Sequence, residues 1–68
     1  MNAKQLLTRY NEACAMVMDL KASPQARAFE AARSFGLAEA MASPERINNS
    51  MKAFLSIIEW ATFKAQSN

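Results

Sequence analysis

The sequence predicts an all-α fold, a small bundle of three main helices in one domain that spans residues 1–68. Apolar residues recur at spacings of three and four along most of the chain, whereas the strict alternation typical of strands is absent. The nearly identical segments 22–25 (Ala-Ser-Pro-Gln) and 42–45 (Ala-Ser-Pro-Glu) point the same way. Serine accepts hydrogen bonds from the free amides of a helix start, and proline suits the first helical position. These segments therefore predict the starts of the second and third helices.

The first predicted helix covers residues 3–21. Asn2 is a suitable N-cap, and Gln5, three residues later, completes a capping-box pattern. One apolar stripe runs along this helix and consists of Leu6, Tyr10, Ala13, Val17 and Leu20. Met16 lies off that stripe, so we expect it to contact a partner protein.

The second predicted helix covers residues 24–35. Its apolar face consists of Ala28, Phe29, Ala31, Ala32 and Phe35. A longer helix would place Leu37 and Met41 on the charged side, and glycine commonly ends a helix in the left-handed conformation. We therefore predict a break at Gly36, a short helical turn over residues 37–42 and an exposed Met41 that contacts a partner. The alternative is a continuous helix in which glycine costs about 1 kcal/mol.

The third predicted helix covers residues 44–66. A heptad-like apolar pattern predicts that it forms the seam of a homodimer through Ile47, Met51, Phe54, Ile57, Ile58 and Ala61. Trp60 and Phe63 project toward a different side. A chain this small buries only about 60% of the surface that its unfolded state exposes. We therefore expect a second copy or a partner protein to cover these two rings.

Composition restricts the possible functions. Cys14 is the only cysteine and histidine is absent, so neither an internal disulfide nor a zinc site is predicted. Small domains without these supports commonly gain stability by oligomerisation. The missing histidine and the missing glycine-rich phosphate loop argue against an enzyme, and we expect no cofactor or metal. The net charge of +2 is scattered along the chain, which favours a solvated surface over a nucleic-acid footprint.

The sequence also predicts a cytoplasmic protein. Glu12 and Asp19 bound the one apolar run near the N-terminus, residues 13–18, and argue against a signal peptide. No run approaches the roughly 18 apolar residues that a membrane span needs. A single cysteine fits a reducing compartment.

A DNA-binding regulator is the main alternative. Residues 32–37 (Ala-Arg-Ser-Phe-Gly-Leu) resemble the turn of many helix-turn-helix repressors, whose next helix enters the major groove. That helix would run through Pro44, at a cost of about 3 kcal/mol. Glu39 and Glu45 would face the phosphates.

The preferred interpretation is a homodimeric, non-enzymatic regulator of the inhibitor, adaptor or chaperone type, which acts by helix-mediated contact with an unidentified protein. Its Ala-rich, histidine-free composition suits a bacterial or phage accessory protein. The residues predicted to make the contact are Trp60, Phe63, Met16 and Met41. A structural subunit of a larger assembly is a further alternative.

Overall fold

The computed structural model describes residues 1–67, and within them the chain forms three α-helices. These are α1 (Ala3–Val17), α2 (Pro24–Ala40) and α3 (Pro44–Gln66). Helix α2 packs closely against both neighbours, whereas the backbones of α1 and α3 are farther apart and these two helices meet through side chains such as Val17 and Ile57. The predicted all-α class and the three-helix bundle are confirmed.

Each helix begins at the capping residue that the sequence predicted. The Asn2 side chain accepts a hydrogen bond from the Gln5 amide (2.9 Å), and the Gln5 side chain accepts one from the Asn2 amide (3.0 Å). Ser23 and Ser43 accept hydrogen bonds from amides three residues onward, at 3.1 and 3.4 Å. Polar caps of this kind satisfy amides that have no partner inside the helix.

Helix α1 ends at Val17, four residues before the predicted end at residue 21. The Nε atom of Arg27, on α2, donates a hydrogen bond of 2.8 Å to the Val17 carbonyl oxygen. The Lys21 amide, which would otherwise donate to that carbonyl, donates to the Asp19 side chain at 3.0 Å. Leu20 therefore lies outside the helix and is 78% exposed.

The predicted break at Gly36 is wrong, because α2 continues through it to Ala40. The separate turn predicted for residues 37–42 is mostly the last turn of α2. Gly36 does not have a positive φ, whereas Ala42, in the loop before α3, has a φ of 52°. The left-handed residue that ends this segment is thus an alanine six positions later.

The buried face of α2 explains why the helix continues. Ala31, Ser34 and Ala38 are buried at spacings of three and four, and this stripe crosses Gly36 without a change of phase. Phe29, which the sequence interpretation placed on the buried face, is 68% exposed. Leu37 and Met41 follow Glu30 on another side of α2, and all three are half-buried, so that side of the helix also packs against the bundle.

Small side chains dominate the core. Its centre is formed by Val17, Ala31 and Ile57, with Ala28, Ala53 and Phe54 packed against it. Ile57 is only 3% exposed, so it belongs to the interior of the single chain and is not open to a second copy.

The molecule is thin for its mass. Its principal dimensions are 45 × 21 × 12 Å, and its accessible surface is 4901 Å². A compact protein of 7.5 kDa has about 4250 Å² of accessible surface. The chain therefore exposes about 650 Å² more than a compact protein of its mass, and large apolar side chains such as Phe29 and Phe63 are among the exposed residues.

Candidate functional site

Helix α3 exposes apolar side chains on both sides of its buried stripe. Successive residues are about 100° apart around a helix, so Met51, Leu55 and Ile58 lie on one side, where they are 45%, 58% and 44% exposed. Trp60 and Phe63 lie on the other side and are 37% and 68% exposed. The two sides therefore form two separate surfaces.

The first surface, which we call the α2/α3 face, combines adjoining sides of two helices. Its members are Phe29, Ala32, Phe35, Met51, Phe54, Leu55 and Ile58. A shallow depression of about 270 Å³ between the helices is lined by Ala32, Phe35, Ser50, Met51 and Phe54. Phe29 lies one turn before Ala32, and Leu55 one turn after Met51, so both extend this apolar face.

Helix α1 covers the opposite side of the α2–α3 pair. The narrow space beside α1 is lined by its residues Tyr10, Cys14 and Val17 and by α3 residues from the Trp60 side, Asn49 and Ala53. The α2/α3 face points away from α1 and has no covering layer among residues 1–67.

The second surface is an open groove of about 550 Å³ between the C-terminal end of α1 and α3, which we call the Trp60 groove. It is lined by Val17, Met18, Leu20, Arg27, Ala53, Ser56, Ile57 and Trp60. Arg27 is the single charged side chain in that lining. The groove thus offers an apolar floor, an aromatic wall and a cation.

Two cations lie close to the Trp60 ring. The guanidinium carbon of Arg27 lies 5.5 Å from the ring centroid, and the Nζ atom of Lys64 lies 5.0 Å from it. Each such contact is worth about 0.5–1 kcal/mol at an exposed site. Because Arg27 also caps the Val17 carbonyl, one side chain links the end of α1, helix α2 and the aromatic ring of α3.

Sequence reasoning missed Arg27 as a site residue. It was counted among the scattered surface charges, although it lies four residues before Ala31 and so falls on the buried side of α2. That spacing was the available signal. Nothing in the sequence pattern singled out Met18 and Leu20 as groove residues, because they follow the early end of α1, where Arg27 donates to the Val17 carbonyl.

The four predicted contact residues do not form one site. Trp60 and Phe63 line a common shallow recess with Ser56 and Glu59. Met16 is 47% exposed on α1. Met41 is half-buried at the C-cap of α2, beside the start of α3. It therefore lies about 24 Å along α3 from Trp60.

The predicted dimer-seam residues divide between the core and the surface. Met51 and Ile58 are exposed on the α2/α3 face, with Phe54 half-buried beside them. Ile47 and Ala61 are half-buried, and Ile57 is in the core.

A polar cluster joins the helices at the other end of the bundle. The Ser34 hydroxyl donates to the Ala31 carbonyl (2.7 Å) and lies 2.9 Å from the Ser50 hydroxyl. Tyr10 is 8% exposed, and the Arg46 guanidinium carbon is 5.7 Å from its ring centroid. Burial raises the pKa of Tyr10 above its ordinary value. The neighbouring Cys14 also raises the pKa, while Ser50 and Arg46 lower it.

The segment that resembles a helix-turn-helix turn is helical throughout. Residues 32–37 lie inside α2, which has no turn between Pro24 and Ala40. The DNA-binding interpretation therefore loses the turn on which it was based.

Comparisons with protein-family models, with curated proteins and with solved structures found no match. Among residues 1–67, no helix combines the length and the apolar character that crossing a membrane requires.

Proposed function

We propose that this protein is a non-enzymatic regulator that binds a partner protein through the Trp60 groove. The observation that carries the proposal is the groove itself, an apolar recess beside a partly exposed indole ring that the rest of the chain leaves open. Tryptophan and arginine are, with tyrosine, the residues enriched among those that dominate protein–protein binding energies. Both are present here, in contact with one another.

The groove suits an apolar segment of a partner. Its lining is mainly aliphatic, and Val17 and Ile57 provide a rigid floor because both belong to the core. The ion pair found among residues 1–67 joins Arg33 and Glu30, so neither Arg27 nor Lys64 has a carboxylate partner there. A partner segment with an acidic residue beside its apolar anchor would match both features.

An inhibitor, an adaptor and a chaperone would all use such a groove in the same way, because each would bind a segment of the partner in it. The thin shape of the chain also favours a second candidate, a structural subunit that is completed by neighbouring copies. Particles much larger than a dimer in solution would favour that candidate.

Affinity capture from the native host, followed by mass spectrometry, tests the proposal when the parent is compared with two groove variants. Trp60→Ala removes the aromatic wall, and Leu20→Ser alters a groove residue that lies outside the helices and is 78% exposed. We expect both variants to lose a protein that the parent captures.

Phe29→Ala is the matched control, because it removes an exposed ring from the opposite surface. It should retain the captured protein. Equal capture by the parent and both groove variants would contradict the proposal.

A further inference from the structure

We propose that the α2/α3 face binds a second copy of this chain about a two-fold axis, leaving the Trp60 groove outside the interface. This inference concerns a different surface from the one proposed to bind a partner, and the two proposals can fail separately.

The layered arrangement of the helices supports a missing layer on this face. Helices in a stable domain bury their apolar sides against another layer. In this chain α1 covers one side of the α2–α3 pair, and the other side exposes Phe29, Met51, Leu55 and Ile58. A second α2–α3 pair would supply a layer of the same shape and the same apolar character.

The surface that this chain exposes in excess of a compact protein is comparable in size with what a dimer buries. A specific interface of standard size buries about 800 Å² on each partner. The chain exposes about 650 Å² more than a compact protein of its mass. Burying an interface of that size would bring the accessible surface of each chain close to the value for a compact domain.

Charge distinguishes the two surfaces. The seven residues that define the α2/α3 face are uncharged, and the charged residues Glu39, Arg33 and Lys52 lie at its border, one turn from Phe35, Phe29 and Leu55. A two-fold axis places the same patch of both copies together, which an uncharged face tolerates. At the Trp60 groove the same symmetry would bring Arg27 and Lys64 toward their own copies. Like charges in an interface are unfavourable, so the groove is the poorer dimer surface.

The proposal assigns different roles to residues that the sequence interpretation grouped on α3. Met51, Phe54 and Ile58 of the predicted seam remain in the dimer interface, and Phe29 and Leu55 join them. Trp60 and Phe63 lie outside it and are available to a partner protein.

Light scattering coupled to gel filtration tests this inference on the full chain. At micromolar concentration the parent should elute as a species of twice the 7.5 kDa chain mass. Leu55→Glu places a carboxylate in the apolar interface of both copies, and we expect the dimer dissociation constant to rise at least about 100-fold.

Phe63→Glu is the matched control, because it makes the same kind of change at a 68% exposed residue on the other side of the same helix. It should remain dimeric. Phe29→Glu, on α2, is a second interface variant, and Phe29 is also 68% exposed, so the folded chain can accommodate the change. Circular dichroism checks that each variant keeps its helices.

Several results would overturn the inference. A parent that stays monomeric at high micromolar concentration would contradict it. A parent that forms a particle larger than a dimer would also contradict it. Dissociation by Phe63→Glu, with Leu55→Glu and Phe29→Glu still dimeric, would move the interface to the opposite side of α3. Loss of a captured partner in the Trp60→Ala variant would leave the proposed function intact in each of these cases.

Discussion

Gly36 shows how one residue can be helical and still cost stability. It lies in the interior of α2, without a positive φ, and a Cβ atom added there would meet no other atom within 4 Å. Glycine in a helix interior is about 0.8–1.0 kcal/mol less favourable than alanine. We therefore expect Gly36→Ala to stabilise the protein by up to about 1 kcal/mol. A thermal melt measures this, and a lower midpoint would show that the backbone at Gly36 needs glycine. The Leu55→Glu background excludes any effect of contacts between copies.

Tyr10 makes stability depend on pH in the alkaline range. Its folded-state pKa is raised, chiefly by burial, so the folded chain holds the phenolic proton more tightly than the unfolded chain does. The resulting stability is fully present below the unfolded pKa of about 10 and is lost as pH rises through the folded pKa. Tyr10→Phe should flatten this alkaline loss. Since Tyr10 is the only tyrosine, tyrosinate absorbance follows its titration directly. A midpoint at or below that of free tyrosine would contradict the assignment.

Among the elements, the connection between α1 and α2 depends most on a single side chain. Arg27 donates to the Val17 carbonyl at 2.8 Å and also contacts the Trp60 ring. Hydrogen bonds to charged groups contribute about 1.5–3 kcal/mol, and this one is partly exposed. We expect Arg27→Met to destabilise the protein by about 1–2 kcal/mol and to raise hydrogen exchange in the last turn of α1.

Arg33→Met is the matched control, because it removes an arginine from the same helix. The Arg33 side chain is 42% exposed and pairs at 3.2 Å with the Glu30 carboxylate, whose side chain is 12% exposed. Ion pairs of surface arginines contribute less than about 1 kcal/mol, so we expect Arg33→Met to cost less than Arg27→Met. Similar losses in the two variants would show that the Val17 contact adds nothing beyond an ordinary surface charge.

The same element shows what the sequence could and could not predict. The starts of the helices were predicted correctly at Asn2, Ser23 and Ser43, because a cap is decided by residues within one turn. The end of α1 was not predicted correctly, because Arg27 is ten residues away from the carbonyl that it caps. A local pattern contains no information about that contact, although Arg27 and Val17 both line the Trp60 groove.

At the scale of the whole molecule, thinness is the property with the largest consequences. The smallest dimension is 12 Å, and many of the largest apolar side chains are exposed while alanines and serines fill the interior. Sequence periodicity predicted helices with apolar stripes. It could not predict which stripe faces inward, because α3 has apolar residues on both sides of its core stripe. The packing of α1 is what places the Trp60 side of α3 beside another helix and leaves the α2/α3 face open.

A two-fold dimer that is stabilised by this face should melt at a temperature that depends on protein concentration, because unfolding then releases two chains. A tenfold change in concentration changes the free energy by about 1.4 kcal/mol per dimer, or about 0.7 kcal/mol per chain. At about 4–8 °C for each kcal/mol in a domain of this size, the midpoint of the parent should rise by about 3–6 °C for each tenfold increase. Leu55→Glu should remove this dependence and Phe63→Glu should keep it, since only the former lies on the α2/α3 face. Calorimetry over a hundredfold concentration range makes the measurement. A parent midpoint that stays constant across that range would mean that the chain unfolds as a monomer and that no second copy covers the α2/α3 face.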